Sequence, residues 1–311
     1  MIRPFRDDDA AGVTRLLRSA LETPWVVTES DVLHWQDVPE RARRAAWVAL
    51  VEGEVVGFAD GQARWEVSAE GVCELWAAVR REQRRRGVGS QLFELAWKHL
   101  VGIGARVVES WAEEDDGKRF LRNRGFEEVR QERISAVDPR EVDLSLLPEL
   151  EAAKRAEDFR VAPLAETLDR AGELFAVYMA GEADIPGTFA EDNIAFDEWE
   201  RETLGMPSLD PDGSFVVLHG DHPVAIAWLE VDREGKRANN EMTATLPGFR
   251  RRGLARLAKM ASIRWAVEHG ITSILTGNDR ENPAMLALND SLGYRTHVMR
   301  GMFMRRVTGE D

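Results

Sequence analysis

A duplicated series of short landmarks constrains this chain of 311 residues more than any other feature. Residues 84–89 read R-R-R-G-V-G and residues 250–255 read R-R-R-G-L-A, an offset of 166 residues. Three further pairs of segments recur in the same order at a nearly equal offset: 52–59 with 219–227, 102–110 with 269–277, and 124–126 with 292–294. An ordered set of four matches predicts two copies of one domain.

Each copy divides into a similar series of short elements. In the first copy, apolar alternation and turn signals predict strands at 2–6, 46–51, 54–60, 72–79, 107–111 and 126–136, and helical spacing predicts helices at 8–21, 88–100 and 118–123. Strands and helices in mixed order predict an α/β (α+β) fold with a mixed sheet. We expect domains at 1–137 and 158–311, joined by a partly helical linker at 138–157.

The arginine-rich loop of each copy lies between a predicted strand and a predicted helix. It could bind nucleic acid, form a solvated turn, or hold a phosphate group. The net charge of −14 argues against nucleic acid. The start of a helix presents unpaired N–H groups, glycine lets the backbone approach a ligand, and arginine donates charge-assisted hydrogen bonds to phosphate. The pattern is neither G-x-G-x-x-G nor a Walker loop, and it favours a pyrophosphate cradle.

These two loops resemble the signature of the GNAT superfamily of N-acetyltransferases, [Q/R]-x-x-G-x-[G/A] between a strand and a helix. The resemblance covers most of both halves and implies tandem domains, each a mixed, mostly antiparallel sheet flanked by helices. It also implies acetyl-CoA as co-substrate, without a metal, with the pantetheine arm along Leu75–Val79 or Glu241–Leu246. The residues implied to contact acetyl-CoA are Val79, Arg84, Arg85, Arg86, Gly87, Val88 and Gly89 in the first copy, and Thr245, Leu246, Arg250, Arg251, Arg252, Gly253, Leu254, Ala255 and Asn282 in the second.

Acetyl transfer also needs a group that accepts the proton of the attacking amine. Glu241 lies four residues before Thr245, where some members of the superfamily carry this base. In the first copy the nearest acid is Glu74, one residue out of register, so its side chain should point to the other face of the sheet. A charged residue at a strand end would account for either position as well. Because its register matches that of the base in some members of the superfamily, we expect Glu241 to be the catalytic base.

The usual acid of the superfamily is missing from both copies. Many members carry N-x-x-A-x-x-L-Y, whose tyrosine protonates the leaving thiolate. Asn282 matches the motif's asparagine, but Asn289 stands where the tyrosine would be, and the first copy has Glu114 and Leu121 at these two positions. We expect the second copy to catalyse, with Asn289 holding a water in place of the acid. The first copy should keep a CoA loop beside a degraded reaction centre.

A long acidic segment in the second copy, residues 181–213, borders the acceptor side in this superfamily. A small molecule with a cationic primary amine would suit it, although solvated helix faces have the same composition. Trp199, Phe196 and Phe189 could belong either to a core or to a pocket. His219 and His222 lie beside a hairpin turn and do not by themselves make a metal site.

The expected setting is the cytoplasm, because Cys73 is the one cysteine and the N-terminal residues lack the apolar core of a signal peptide. We expect a monomer or homodimer with no nucleic-acid or membrane partner. Two alternatives remain open. A non-catalytic CoA-binding tandem module would explain the missing tyrosine. A mycothiol-synthase-like acetyltransferase, which would act on a sugar-thiol amine, shares the two-copy plan.

Overall fold

The computed structural model describes residues 1–187 and 189–309, which form two compact units. The strands are β1 (Ile2–Pro4), β2 (Ala45–Val51), β3 (Glu54–Ala63), β4 (Val72–Val79), β5 (Val107–Ala112), β6 (Glu127–Val137), β7 (Phe159–Pro163), β8 (Phe215–His219), β9 (His222–Asp232), β10 (Arg237–Thr245), β11 (Ser273–Asp279) and β12 (Arg295–Arg306). The helices are α1 (Ala10–Ala20), α2 (Glu29–His34), α3 (Val88–Gly102), α4 (Asp115–Arg122), α5 (Leu147–Ala156), α6 (Ala171–Glu182), α7 (Phe196–Trp199), α8 (Leu254–Glu268) and α9 (Pro283–Ser291).

The first unit comprises residues 1–132, 191–194 and 298–311, of which 310 and 311 lie outside the described part. Its strand order is β1-β2-β3-β4-β5-β12, and only β4 and β5 pair in parallel. Alternate side chains of β3 face opposite sides of the sheet. Phe58 packs with α1, whereas the next residue, Ala59, packs with Leu92 of α3. A helix therefore covers each face of this sheet.

The second unit comprises residues 133–190 and 195–297. Its strand order is β6-β11-β10-β9-β8-β7, in which β10 and β11 pair in parallel and β7, β8, β9 and β10 pair antiparallel. Leu254, Leu257, Ala258 and Ala261 of α8 pack into the core on one face. On α6, Tyr178 stacks on Trp228 of β9 with ring centroids 5.8 Å apart, and Trp199 lies 5.7 Å from the same tyrosine. The fold class expected from the sequence, two domains with mixed, mostly antiparallel sheets flanked by helices, is confirmed.

The limits of the two compact units differ from the domain limits expected from the sequence at the last strand of each copy, β6 and β12, called here the closing strands. Residues 133–137 of β6 belong to the second unit, beside β11, and residues 298–306 of β12 belong to the first. Gly301–Arg306 of β12 pairs antiparallel with Ala112–Val107 of β5. Both closing strands follow a glycine turn and have a similar polar composition, so local pattern alone does not decide which sheet edge each one joins.

Residues 138–157, expected to be a linker, form part of the second unit. They contain α5, whose Leu147 is buried in the core of that unit, while Val142, Leu144 and Leu150 pack against it. The expectation that this stretch is partly helical is confirmed. Within residues 1–187 and 189–309, the helices are too short or too polar to cross a membrane.

Candidate functional site

The two arginine-rich loops have the same backbone geometry. Arg85 and Arg251, with φ of 62° and 58°, both adopt the left-handed region, as do Gly87 and Gly253, with φ of 84° and 78°. Each glycine then begins a helix, α3 or α8, whose first turn has neither a side-chain cap nor an acidic residue. The orphan N–H groups of these helices are therefore available to an anion, as the sequence predicted.

The first arginine of each loop is held by the protein itself. In the first unit, Arg84 donates through Nε to Val79 O at 3.1 Å and through Nη2 to Ala20 O at 2.9 Å, and it forms an ion pair with Glu114. In the second unit, Arg250 donates to Thr245 O at 3.1 Å and pairs with Asp184 at 2.8 Å. These guanidinium groups join the loop to the end of the preceding strand and so stabilise the conformation of the loop.

The next two arginines of each loop point outward. Arg85, Arg86, Arg251 and Arg252 are exposed, and so are Gly87 and Gly253 at the helix starts. The Arg252 guanidinium lies 5.6 Å from the ring centroid of Phe159. An exposed pair of guanidinium groups beside an uncapped helix start fits a pyrophosphate, so the residues present fit coenzyme A at both loops.

The left-handed loop glycine yields a stability prediction. Gly253→Ala should destabilise the second unit by about 1 kcal/mol, because a Cβ is strained at this φ. No atom lies within 4 Å of the added Cβ, so backbone strain is the cause. Gly248→Ala is the matched control, since its Cβ also meets no atom and its φ is not left-handed. Thermal unfolding of the two variants checks this, and equal midpoints would contradict it.

Beside each loop, two parallel strands are paired only over their first residues. In the second unit the pairing of β10 and β11 covers Arg237–Asn239 and Ser273–Leu275, although the strands continue to Thr245 and Asp279. In the first unit β4 and β5 pair only from Val72 to Glu74. Beyond these residues the two strands of each pair are no longer paired with each other. This agrees with the splayed strands that the resemblance implies.

The predicted base and the predicted water-holding residue lie in different environments. Glu241 is exposed on β10, at a bulge where the register with β9 shifts between Asn240 and Thr243. Asn289 of α9 is completely buried, and its Nδ2 donates to Asn278 Oδ1 at 2.6 Å, while its own Oδ1 has no hydrogen-bond partner. The catalytic roles of both residues stay predictions.

Asn282 accepts a hydrogen bond from Met285 N at 3.1 Å and so caps α9. At the matching position of the first unit, Glu114 pairs with both Arg81 and Arg84. A cavity of about 430 Å³ adjoins Glu114 and is lined by Glu22, Glu113 and Asp115 as well as Arg81 and Lys118. This excess of carboxylates beside the first loop is unfavourable to a polyanion such as coenzyme A.

Lys259 lies within the apolar stripe of α8 and is 2% exposed, a position that the sequence pattern did not single out. Burial alone lowers the pKa of its ammonium group to about 7. A comparison of the two copies at the offset of 166 residues would have found it, because the first copy has Phe93 at the matching position.

The first unit contains a buried charge cluster, formed by Arg64, Glu66, Glu109 and Glu191, that was not predicted from the sequence. Arg64 binds Glu109 through Nη1 at 2.7 Å and Glu191 through Nη2 at 2.8 Å, and its Nε pairs with Glu66. Burial raises the pKa of Glu66 to about 7 and also raises the pKa of Glu109, while Arg64 opposes both shifts. Glu191 comes from the acidic segment that the sequence placed beside the acceptor. Two of its acids, Glu191 and Asp192, therefore belong to the first unit.

Comparison with known proteins supports this fold. The model of the Acetyltransferase (GNAT) family matches residues 11–126 and 182–294. A mycothiol acetyltransferase of Amycolatopsis mediterranei (strain U-32) is 24% identical over 270 residues, which cover 80% of each chain. A tandem GNAT protein from the clavulanic acid biosynthesis pathway has a similar structure, with a TM-score of 0.74 at 16% identity, over 100% of this chain and 99% of that one.

A GCN5-related N-acetyltransferase from Sphaerobacter thermophilus also superimposes, with a TM-score of 0.67 at 15% identity, over 98% of this chain and 95% of that one. At such identities the structural likeness concerns the fold alone. The family match, by contrast, falls on both copies and includes both arginine-rich loops. The chain therefore belongs to the acetyltransferase (GNAT) family, with two tandem domains.

Proposed function

We propose that the protein is an acetyl-CoA-dependent N-acetyltransferase that acetylates a primary amine of a small molecule, with catalysis in the second unit. The observation that carries the proposal is the loop at 250–255, in which two exposed arginines and an uncapped helix start adjoin diverging strands. The first unit has the same loop, but with Glu114 and further carboxylates beside it. Charge therefore favours coenzyme A at the second loop.

Several groups of the second unit have assigned parts in this proposal. Arg251 and Arg252 bind the pyrophosphate of acetyl-CoA, whose thioester supplies the acetyl group. The divergent half of β10 offers backbone N–H groups to the pantetheine arm and to the carbonyl that is attacked. Glu241, exposed at the bulge, accepts the amine proton directly or through water.

The relative named mycothiol acetyltransferase makes a sugar-thiol amine one acceptor to test. A non-catalytic module that binds coenzyme A is the second candidate function. The full burial of Asn289 favours it, because that side chain stands at the position of the missing acid without reaching solvent.

Charge removal at the loop tests the proposal. The double variant Arg251→Ser/Arg252→Ser should weaken acetyl-CoA binding by about 100-fold or more, because two charge-assisted contacts of roughly 1.5–3 kcal/mol each are lost. Isothermal titration measures the affinity, and free-thiol release across a panel of primary amines measures turnover. Arg106→Ser removes an exposed arginine outside both loops and is the control.

Two results would decide against the proposal. Loss of thiol release with Arg85→Ser/Arg86→Ser, but not with the second-loop variant, would assign catalysis to the first unit. Tight acetyl-CoA binding without thiol release for any amine, including a sugar-thiol amine, would favour the non-catalytic module.

A further inference from the structure

A buried polar cluster lies where β10 and β11 begin to diverge in the second unit. Lys259 of α8 reaches it from the helix that starts at the arginine-rich loop, and its Nζ donates to Asn240 Oδ1. Asn239 is the last residue of β10 that pairs with β11, and Asn240 follows it directly. Thr276 Oγ1 of β11 donates to Asn240 O at 3.2 Å. The amine is therefore held at the apex of the divergence.

Neutral groups surround this amine. Asn240 Oδ1 also accepts from Thr243 Oγ1 at 2.9 Å, and the Asn240 amide donates to Trp228 O at 2.8 Å. The Nζ atom lies 5.0 Å from the centroid of the buried Tyr294 ring. Within the part of the chain that the structure describes, no carboxylate forms an ion pair with Lys259. A buried amine without a counter-charge is costly and calls for an explanation.

The matching cluster of the first unit is apolar, which shows that the fold does not require a lysine here. Phe93 replaces Lys259 and packs edge-on against Phe126, with ring centroids 6.1 Å apart. Phe126 stands where the second unit has Tyr294, and Leu121 stands where it has Asn289. The second unit, which has Glu241 and Asn282, thus has an amine, an amide and a phenol at three positions where the first unit has apolar side chains.

The charged groups on the elements around α8 are engaged elsewhere. On β9 and β10, Asp232 pairs with Arg237 at 2.9 Å, and Glu230 accepts from Asn239 at 3.2 Å. Titratable groups elsewhere on these neighbours include Glu241, exposed on β10, Glu151 of α5, paired with Arg264, and His219 of β8, which contacts Phe159 and Phe249. His222 of β9 pairs with Glu173, Lys154 of α5 with Glu157, and Arg160 of β7 with Glu166. Desolvation is the one cause that shifts the Lys259 pKa, so the group is poised to respond to any anion placed beside it.

We propose that Lys259 is the proton donor of the second unit, and that its ammonium protonates the coenzyme A thiolate as this leaves. The inference rests on the proposed function and supplies the role for which the family's tyrosine is missing. The Asn240 side chain holds the amine at the point where the pairing of β10 with β11 ends.

The proposed step conserves protons and electrons. The acceptor amine forms the new C–N bond, the C–S bond breaks, and sulfur takes the electron pair together with the proton of Lys259. The proton lost by the amine passes to Glu241 or to water, and a proton from solvent recharges Lys259. Acetyl-CoA and amine thus give amide and free coenzyme A with no net gain or loss of protons.

A direct test uses the whole chain of 311 residues with 13C-labelled lysine, read by NMR over pH 5–11. Of its five lysines, one should titrate far below the others, and its signal should vanish in Lys259→Met but not in Lys98→Met, a control on the exposed face of α3. Coenzyme A should raise that titration midpoint by about one unit or more, because a thiolate favours the ammonium, whereas acetyl-CoA should raise it less. Equal midpoints with coenzyme A and acetyl-CoA would overturn the proposal.

Kinetics provide the second test. Lys259→Met should lower kcat for thiol release by about 100-fold, the usual scale of one general acid, with little change in acetyl-CoA affinity. Lys259→Arg should not restore it, because a guanidinium holds its proton at these pH values. The wild-type rate should fall at high pH along a limb that the methionine variant lacks. Normal kcat in Lys259→Met would refute the donor alone, whereas a wild type without acetyl-CoA binding or turnover would refute the proposed function.

Discussion

Replacing Lys259 by methionine should stabilise the protein at neutral pH, in contrast to most core substitutions. Burial lowers the pKa of Lys259 from 10.5 to about 7, so the unfolded chain binds a proton that the folded chain excludes between these values. Since one pKa unit corresponds to about 1.4 kcal/mol, the penalty at and below pH 7 is roughly 5 kcal/mol at most. Methionine has a similar length and no charge, and it avoids the penalty.

The pH dependence distinguishes this cause from better packing. The folded pKa lies below the unfolded one, so wild-type stability should rise as pH increases from about 7 to 10.5. The advantage of Lys259→Met should therefore be greatest at or below pH 7 and should shrink toward pH 10.5. Calorimetry at several pH values measures it, with Lys98→Met as control. A gain that is constant with pH would identify packing, and not charge, as its source.

Replacing Arg64 by methionine should have a large effect of the opposite sign. Each nitrogen of its guanidinium contacts a carboxylate, and the side chain of Glu109 is only 2% exposed. One carboxylate oxygen of Glu66 and one of Glu109 are already buried without a hydrogen bond. Removing the cation should destabilise the first unit by about 3–5 kcal/mol at pH 8, because it leaves buried charges uncompensated.

Acid should partly rescue this variant. Burial raises the pKa of Glu66 to about 7, and that of Glu109 is raised as well, so the folded state binds protons more readily than the unfolded chain above pH 4.5. Stability therefore falls as pH rises through this window, and without Arg64 it should fall more steeply. Unfolding followed from pH 5 to 8 checks this, with Arg106→Met as a surface control, since Arg106 is 71% exposed. A loss independent of pH would contradict it.

Repetition made much of the fold predictable. Two loops of the same pattern, each between a strand and a helix, indicated both the duplication and the two uncapped helix starts, and the left-handed Arg85 and Arg251 give that pattern a common geometry. Alternating apolar residues located β4 as Val72–Val79, with the same limits as in the structure. Such features depend on short-range sterics and periodicity, which a sequence displays directly.

The remaining features depend on contacts between distant residues. Lys259 interrupts an apolar helix face, and no residue near it in sequence indicates its contacts with Asn240 and the ring of Tyr294. Arg64 meets carboxylates 45 and 127 residues away. Arg250, Arg251 and Arg252 are adjacent in sequence, and only the fold shows that Arg250 contacts Thr245 O and Asp184 and so helps to shape the loop.

The pairing of β5 with β12 has a consequence for synthesis on the ribosome. Ala112 and its partner Gly301 are 189 residues apart, so an emerging first unit has an unfilled sheet edge until the later strand is made. At roughly 5–20 residues per second, that edge stays open for about 10–40 s. Open edges recruit other strands, and β5 carries a single charged residue, Glu109, so during this interval the nascent chain depends on chaperones to avoid misassociation.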